Sequence, residues 1–151
     1  METFSKKLIA PCGMNCALCG SYLSYRNNLK SRGIQKTYCR GCREENKNCT
    51  LLKRKCYLLS GNKIQYCFQC DIFPCKSLMQ LDKRYRNFYR MSEIDNLIFI
   101  KENGEYKFLK KQMKEWKCEN CGELICCHNG ICFNCGIDKL KIKKRRYRWD
   151  D

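Results

Sequence analysis

The chain has 151 residues and 16 cysteines, and its 31 Lys and Arg against 15 Asp and Glu give a formal net charge of +16. That length supports one domain or two small modules, and with so many cysteines it leaves no room for an alternating strand and helix barrel. No stretch reaches the ~18 apolar residues of a membrane span, and Met1 to Ala10 lacks the apolar run of a signal peptide, so a soluble, cytoplasmic protein is expected.

In a reducing compartment, closely spaced cysteines are expected as metal ligands rather than disulfides. Metal-bound thiolates carry negative charge that the formal balance omits. Three filled four-thiolate sites would still leave the chain strongly basic. Such an excess favours RNA, DNA or an acidic protein surface as a partner.

Ten cysteines fall in the first half: Cys12, Cys16, Cys19, Cys39, Cys42, Cys49, Cys56, Cys67, Cys70 and Cys75. Three pairs have the CxxC spacing, which lets two thiolates on one tight turn reach the same tetrahedral ion. All ten are candidate ligands. They do not divide evenly by four, and spacing alone does not say which share an ion. Cys12, Cys16 and Cys19 also have the CxxxCxxC spacing of radical S-adenosylmethionine enzymes. Leu18, however, stands where an aromatic residue is usual there, and the chain is too short for the barrel. A non-radical alternative is an iron-sulfur cluster held by Cys12, Cys16, Cys19 and one later cysteine. Ser21 to Leu29 is expected as a short helix that Gly33 ends.

Between Lys76 and Lys117 there is no cysteine, and helical patterning takes over. Lys76 to Met91 places Leu78, Leu81, Tyr85 and Phe88 on one stripe, with Lys83, Arg84, Arg86 and Arg90 outside it. Ser92 with Asp95 three residues on predicts the start of a second helix, with Leu97, Ile98 and Ile100 inward and Asn103-Gly104 as its stop. A third helix is expected over Glu105 to Trp116, with Tyr106, Leu109, Met113 and Trp116 on its apolar side.

Cys118-Glu119-Asn120-Cys121 and Cys132-Phe133-Asn134-Cys135 are two knuckles flanking the turn pair Asn129-Gly130, and they read as a zinc ribbon hairpin over Glu123 to Phe133. Cys126 and Cys127 are read as small buried apolar residues, with His128, the single histidine, at the turn. The tail carries Lys143, Lys144, Arg145, Arg146 and Arg148 with Tyr147 and Trp149 interleaved. Cations that neutralise phosphates beside rings that stack on bases make these seven residues a candidate RNA-contacting arm.

The expected fold is a small metal-stabilised α+β protein. A cysteine-rich zinc-knuckle module (1–76), a helical middle (77–117), a zinc ribbon (118–136) and a basic tail (137–151) follow one another. About three zinc ions are expected from the thiolate count.

The combination of Cys12-Gly13-x-x-Cys16-x-x-Cys19, Cys39-x-Gly41-Cys42 and Tyr66-Cys67-x-x-Cys70-Asp71-x-Phe73-Pro74-Cys75 resembles a family of small cysteine-rich bacterial and archaeal proteins classed as a domain of unknown function. The likeness continues through Asn96-Leu97-x-x-Ile100-Lys101-Glu102-x-Gly104 and Trp116-Lys117-Cys118. It implies zinc binding and no specific activity, and the tail after Gly136 lies outside it. Three functions are consistent with the chain. The first is a non-enzymatic zinc protein that binds RNA or sits in a ribonucleoprotein. The others are an iron-sulfur protein for electron transfer or metal-centre assembly, and an adaptor docking an acidic protein. No general-base pair, glycine-rich phosphate loop or hydrolytic triad argues for an enzyme.

Overall fold

The computed structural model describes residues 3–45 and 56–150. Among them the protein is helical. The helices are α1 (Gly20–Arg26), α2 (Tyr57–Ser60), α3 (Lys76–Phe88), α4 (Glu93–Asn103), α5 (Glu105–Glu115) and α6 (Ile137–Ile142), with tighter 3-10 turns at Lys6–Leu8, Cys16–Leu18, Leu29–Arg32 and Cys67–Gln69.

The expected α+β class and the zinc ribbon hairpin are overturned: there is no strand among the described residues, only the isolated bridges Ile9 with Asn15 and Lys117 with Leu124. The reason is where the backbone amides of the 118–136 segment go. Gly122 N–H bonds Cys118 C=O, Gly130 N–H bonds Cys126 C=O and Gly136 N–H bonds Cys132 C=O, each closing a turn on itself. Ile125 and Cys127 N–H instead reach out to Trp116 and Leu18 C=O. A hairpin needs consecutive amides on both arms facing each other, and here they are already committed. The turn at Asn129-Gly130 is present, with Gly130 at φ +73, but without flanking strands.

The middle follows the helical reading closely. Ser92 caps α4, its side chain accepting from Asp95 N–H, and Gly104 at φ +91 separates α4 from α5. The inward faces are shifted from those expected. Ile98, Tyr106, Met113 and Phe88 are exposed, while Leu97, Ile100, Phe108, Leu109 and the amide of Gln112 are buried. Two of the α5 residues chosen by periodicity therefore face water. α4 packs between α3 and α5, and Gly13 of the first module lies against it so closely that a Cβ would strike Glu93 C=O and Leu97.

Two apolar clusters hold the fold. The larger joins Ile9, Leu18, Leu78, Leu97 and Phe108, uniting the first module with the helical middle. The smaller joins Leu23, Leu29 and Ile34, from α1 and the turn after it, to Cys126, Phe133 and Leu140 of the last third. Burying six such side chains contributes on the order of 10 kcal/mol of apolar transfer. The final segment is thus packed on the first rather than standing alone.

Candidate metal centre

The sulfurs of Cys118, Cys121, Cys132 and Cys135 all lie within 4.8 Å of one another, and among the described residues no other group of three potential ligands is gathered so tightly. Cys118 Sγ is 3.6 Å from Cys135 Sγ, and Cys121 Sγ is 3.5 Å from Cys132 Sγ. Four thiolates at Zn–S distances of about 2.3 Å sit about 3.8 Å apart in a tetrahedron, so the spacing fits one ion. Fully buried Phe133 and the Arg32 guanidinium, which donates to Phe133 and Asn134 C=O at 2.9 and 2.8 Å, fix the second knuckle against the first module.

The electrostatics divide the quartet. Backbone N–H groups of Cys121 and Asn120 hold the Cys118 thiol below its usual range, and those of Glu123, with the Asn134 side chain, bring Cys121 down to about 7. Burial pushes Cys132 up to about 12. Cys121 is therefore ready to ionise near neutrality, Cys118 is shifted in the same direction, and a bound cation supplies what the buried Cys132 needs.

Cys126 and Cys127 are fully buried and outside the quartet. His128 makes no approach to the quartet: Gly20 N–H donates to its Nδ1 at 3.1 Å and Tyr85 Oη lies 3.3 Å from Nε2. Both ring nitrogens are occupied.

The first-half cysteines separate into groups. Cys12, Cys16, Cys39 and Cys42 are buried and Cys19 is half-buried. Cys42 N–H donates to Cys16 Sγ at 3.3 Å and Gly41 N–H to Cys39 Sγ at 3.4 Å, which brings the Cys16 turn to the Cys39–Cys42 knuckle. Amides aimed at sulfur offset thiolate charge in the manner of metal knuckles. Cys56, Cys67, Cys70 and Cys75 line a different cavity, and burial followed by the nearby Cys75, Cys56 and Cys70 pushes the Cys67 thiol up to about 12. Cys49 lies outside the described residues. Spacing gave no sign of these partnerships, because they join knuckles across folded segments.

The tail is docked. The indole N–H of Trp149 donates to Cys127 C=O at 2.8 Å, and its ring lies under the Arg90 guanidinium at 4.0 Å. Tyr147 packs over Gly20, with Lys36 Nζ 4.2 Å from its ring centre. Arg148 stacks on Phe88 at 4.3 Å, Arg146 C=O accepts from Asn129 Nδ2 at 2.7 Å, and Lys143 Nζ donates to Trp149 C=O at 3.4 Å. Lys144 and Arg145 are exposed, Arg145 lying 3.4 Å from Asp150. The two rings expected to stack on bases are turned toward the protein.

Residues 8–80 match the family model of a protein of unknown function, DUF3795. The matched span contains the Cys12 to Cys75 motifs, as the resemblance requires. The match ends within α3, so the thiol quartet and the docked tail lie outside it. No curated protein and no solved structure matches the chain. No helix among the described residues is long and apolar enough to cross a membrane.

Proposed function

We propose that this is a non-catalytic zinc-binding protein that contacts RNA through its basic surface. The observation that carries the reading is the Cys118, Cys121, Cys132 and Cys135 quartet, whose sulfurs within 4.8 Å fit a closed ion site. Four thiolates on one ion leave no position for a substrate, so the site supports structure rather than chemistry. Zinc there locks the last third onto α1.

RNA is supported by charge and by where the fold collects it. The net +16 is spread over both ends of the chain. Arg90 lies on Trp149, Arg148 on Phe88, and Lys36 and Arg84 are near enough to His128 to act on its ionisation. Cations from distant stretches thus meet around Tyr147, Arg148 and Trp149, which follow exposed Lys144 and Arg145 in the chain. Cations arranged this way bind phosphates, while the inward rings argue against base stacking by Tyr147 and Trp149.

The test is fluorescence anisotropy of a labelled single-stranded RNA against the zinc-loaded protein as salt is raised. Affinity should fall steeply, with a slope of about −0.7 per phosphate contacted. Replacing Lys144 and Arg145 by Glu should weaken binding and flatten the slope. Absence of binding at about 50 mM salt would sink the RNA reading, and an acidic protein that co-purifies after nuclease treatment would replace it.

A further inference from the structure

The four cysteines of the second group come from three pieces of chain. Cys56 precedes α2, Cys67 opens the 3-10 turn that Cys70 closes, and Cys75 caps α3. Their side chains surround one cavity of about 90 Å³. Leu59, Ile64, Phe73 and Leu78 supply the remaining wall apart from Ser77.

The contrast with the Cys118 quartet decides what this cavity fits. There the sulfurs pair at 3.5 and 3.6 Å, as for a single ion. The second group is not gathered within that 4.8 Å limit, which among the described residues only the Cys118 quartet meets. Its four cysteines line a shared space instead. A four-iron, four-sulfide cluster has that requirement, because each thiolate binds a different iron of a bulky inorganic core. Leu59, Ile64, Phe73 and Leu78 would give the core a largely apolar surround, and such a surround tunes these centres.

Two further features place positive potential at this group. Cys75 caps a 13-residue helix, whose N-terminal dipole is positive. The Arg43 guanidinium, stacked 4.8 Å from the Tyr66 ring centre, lies close enough to act on Cys67.

We infer that Cys56, Cys67, Cys70 and Cys75 ligate an iron-sulfur cluster, a centre separate from the Cys118 quartet. This set differs from the Cys12, Cys16 and Cys19 set that spacing suggests, since Cys16 faces the Cys39–Cys42 knuckle instead. It goes beyond the zinc and RNA reading and does not rest on it.

The experiment uses the full chain, purified without oxygen and reconstituted with ferrous iron and sulfide. Iron and acid-labile sulfide should be bound in equal amounts, with broad visible absorption. Both should fall at least about tenfold in Cys70→Ser and Cys75→Ser and persist in Cys121→Ser. A readout independent of variant folding is alkylation of the wild-type protein, mapped by mass spectrometry. The four thiols should be shielded in the loaded chain and become reactive once iron is stripped. A colourless protein that takes no iron and sulfide overturns the inference, as does shielding confined to Cys12, Cys16 and Cys19.

Discussion

Gly20 donates its backbone N–H to Nδ1 of His128, 108 residues away, at 3.1 Å. A backbone amide can only donate, so Nδ1 is the unprotonated nitrogen and Nε2–H faces Tyr85 Oη at 3.3 Å. The imidazole is therefore neutral, and burial lowers its pKa to about 4. This one ring ties the first turn of α1 to the last third of the chain and to α3.

Stability should fall with acid in a window set by that ring. The unfolded histidine takes up a proton near pH ~6.5, while the folded one resists until about 4. Between those values the unfolded chain binds the extra proton, so stability declines as pH drops, by about 2 kcal/mol between pH ~7 and ~5. His128→Gln should lower stability at neutral pH and flatten this slope. Urea unfolding of both proteins at the two pH values checks it, since thiolate protonation acts alike on each. An unchanged slope would show that His128 does not cause it.

Gly130 and Trp149 form a lock between the turn and the tail. Gly130 has φ +73, and a Cβ there would lie inside the indole ring. Gly130→Ala should expel Trp149 and cost about 2–4 kcal/mol, part backbone strain and part lost packing. Trp149→Ala should cost a similar amount, and the double variant clearly less than the sum. Thermal unfolding and a red-shifted tryptophan emission measure both effects.

Asp82 is buried on α3 and organises the start of α4. Its carboxylate accepts from the Ser92 hydroxyl at 2.7 Å, Ile94 N–H at 3.0 Å and Arg86 Nε at 2.6 Å. Burial alone would raise its pKa, but the Ile94, Ser92 and Arg86 donors outweigh that and hold it below the usual range. Its contribution is therefore present above the ordinary carboxylate pKa and lost as pH falls through the depressed one. Asp82→Ala should cost about 2–4 kcal/mol near neutrality, with the gap to wild type closing in acid. Chemical denaturation against pH reads this directly.

The quartet should bind metal with release of protons, because Cys132 is protonated without it. Affinity should rise with pH and fall below the value near 7 at which Cys121 ionises. Cys121→Ser should lose the zinc of this site, whereas Cys126→Ser should keep it. Competition with a chromophoric chelator distinguishes them. Equal zinc loss in both variants would remove the distinction between ligand and packing cysteine.

The sequence alone determined the features that depend on near neighbours. Ser92 and Asp95 placed the start of α4, Asn103-Gly104 its end, and the cysteine pairs marked the knuckles, because caps and tight turns are settled within a few residues. It also carried the family likeness: the motifs from Cys12 to Cys75 fall within the matched residues 8–80, while those at Asn96–Gly104 and Trp116–Cys118 fall outside them. Side-chain periodicity was less decisive: Tyr106 and Met113 lie at helical spacing yet face water, since nothing local says which side of α5 meets its neighbour.

The tertiary structure decided everything that joins distant segments. It turned the expected ribbon into knuckles without strands, because Ile125 and Cys127 amides found Trp116 and Leu18 rather than a partner arm. It drew Cys56 to Cys67, Cys70 and Cys75, and laid Tyr147 and Trp149 against Gly20 and Gly130 instead of leaving a free arm. Spacing fixes which thiolates share a turn; only the packing of one turn against another fixes which share a centre.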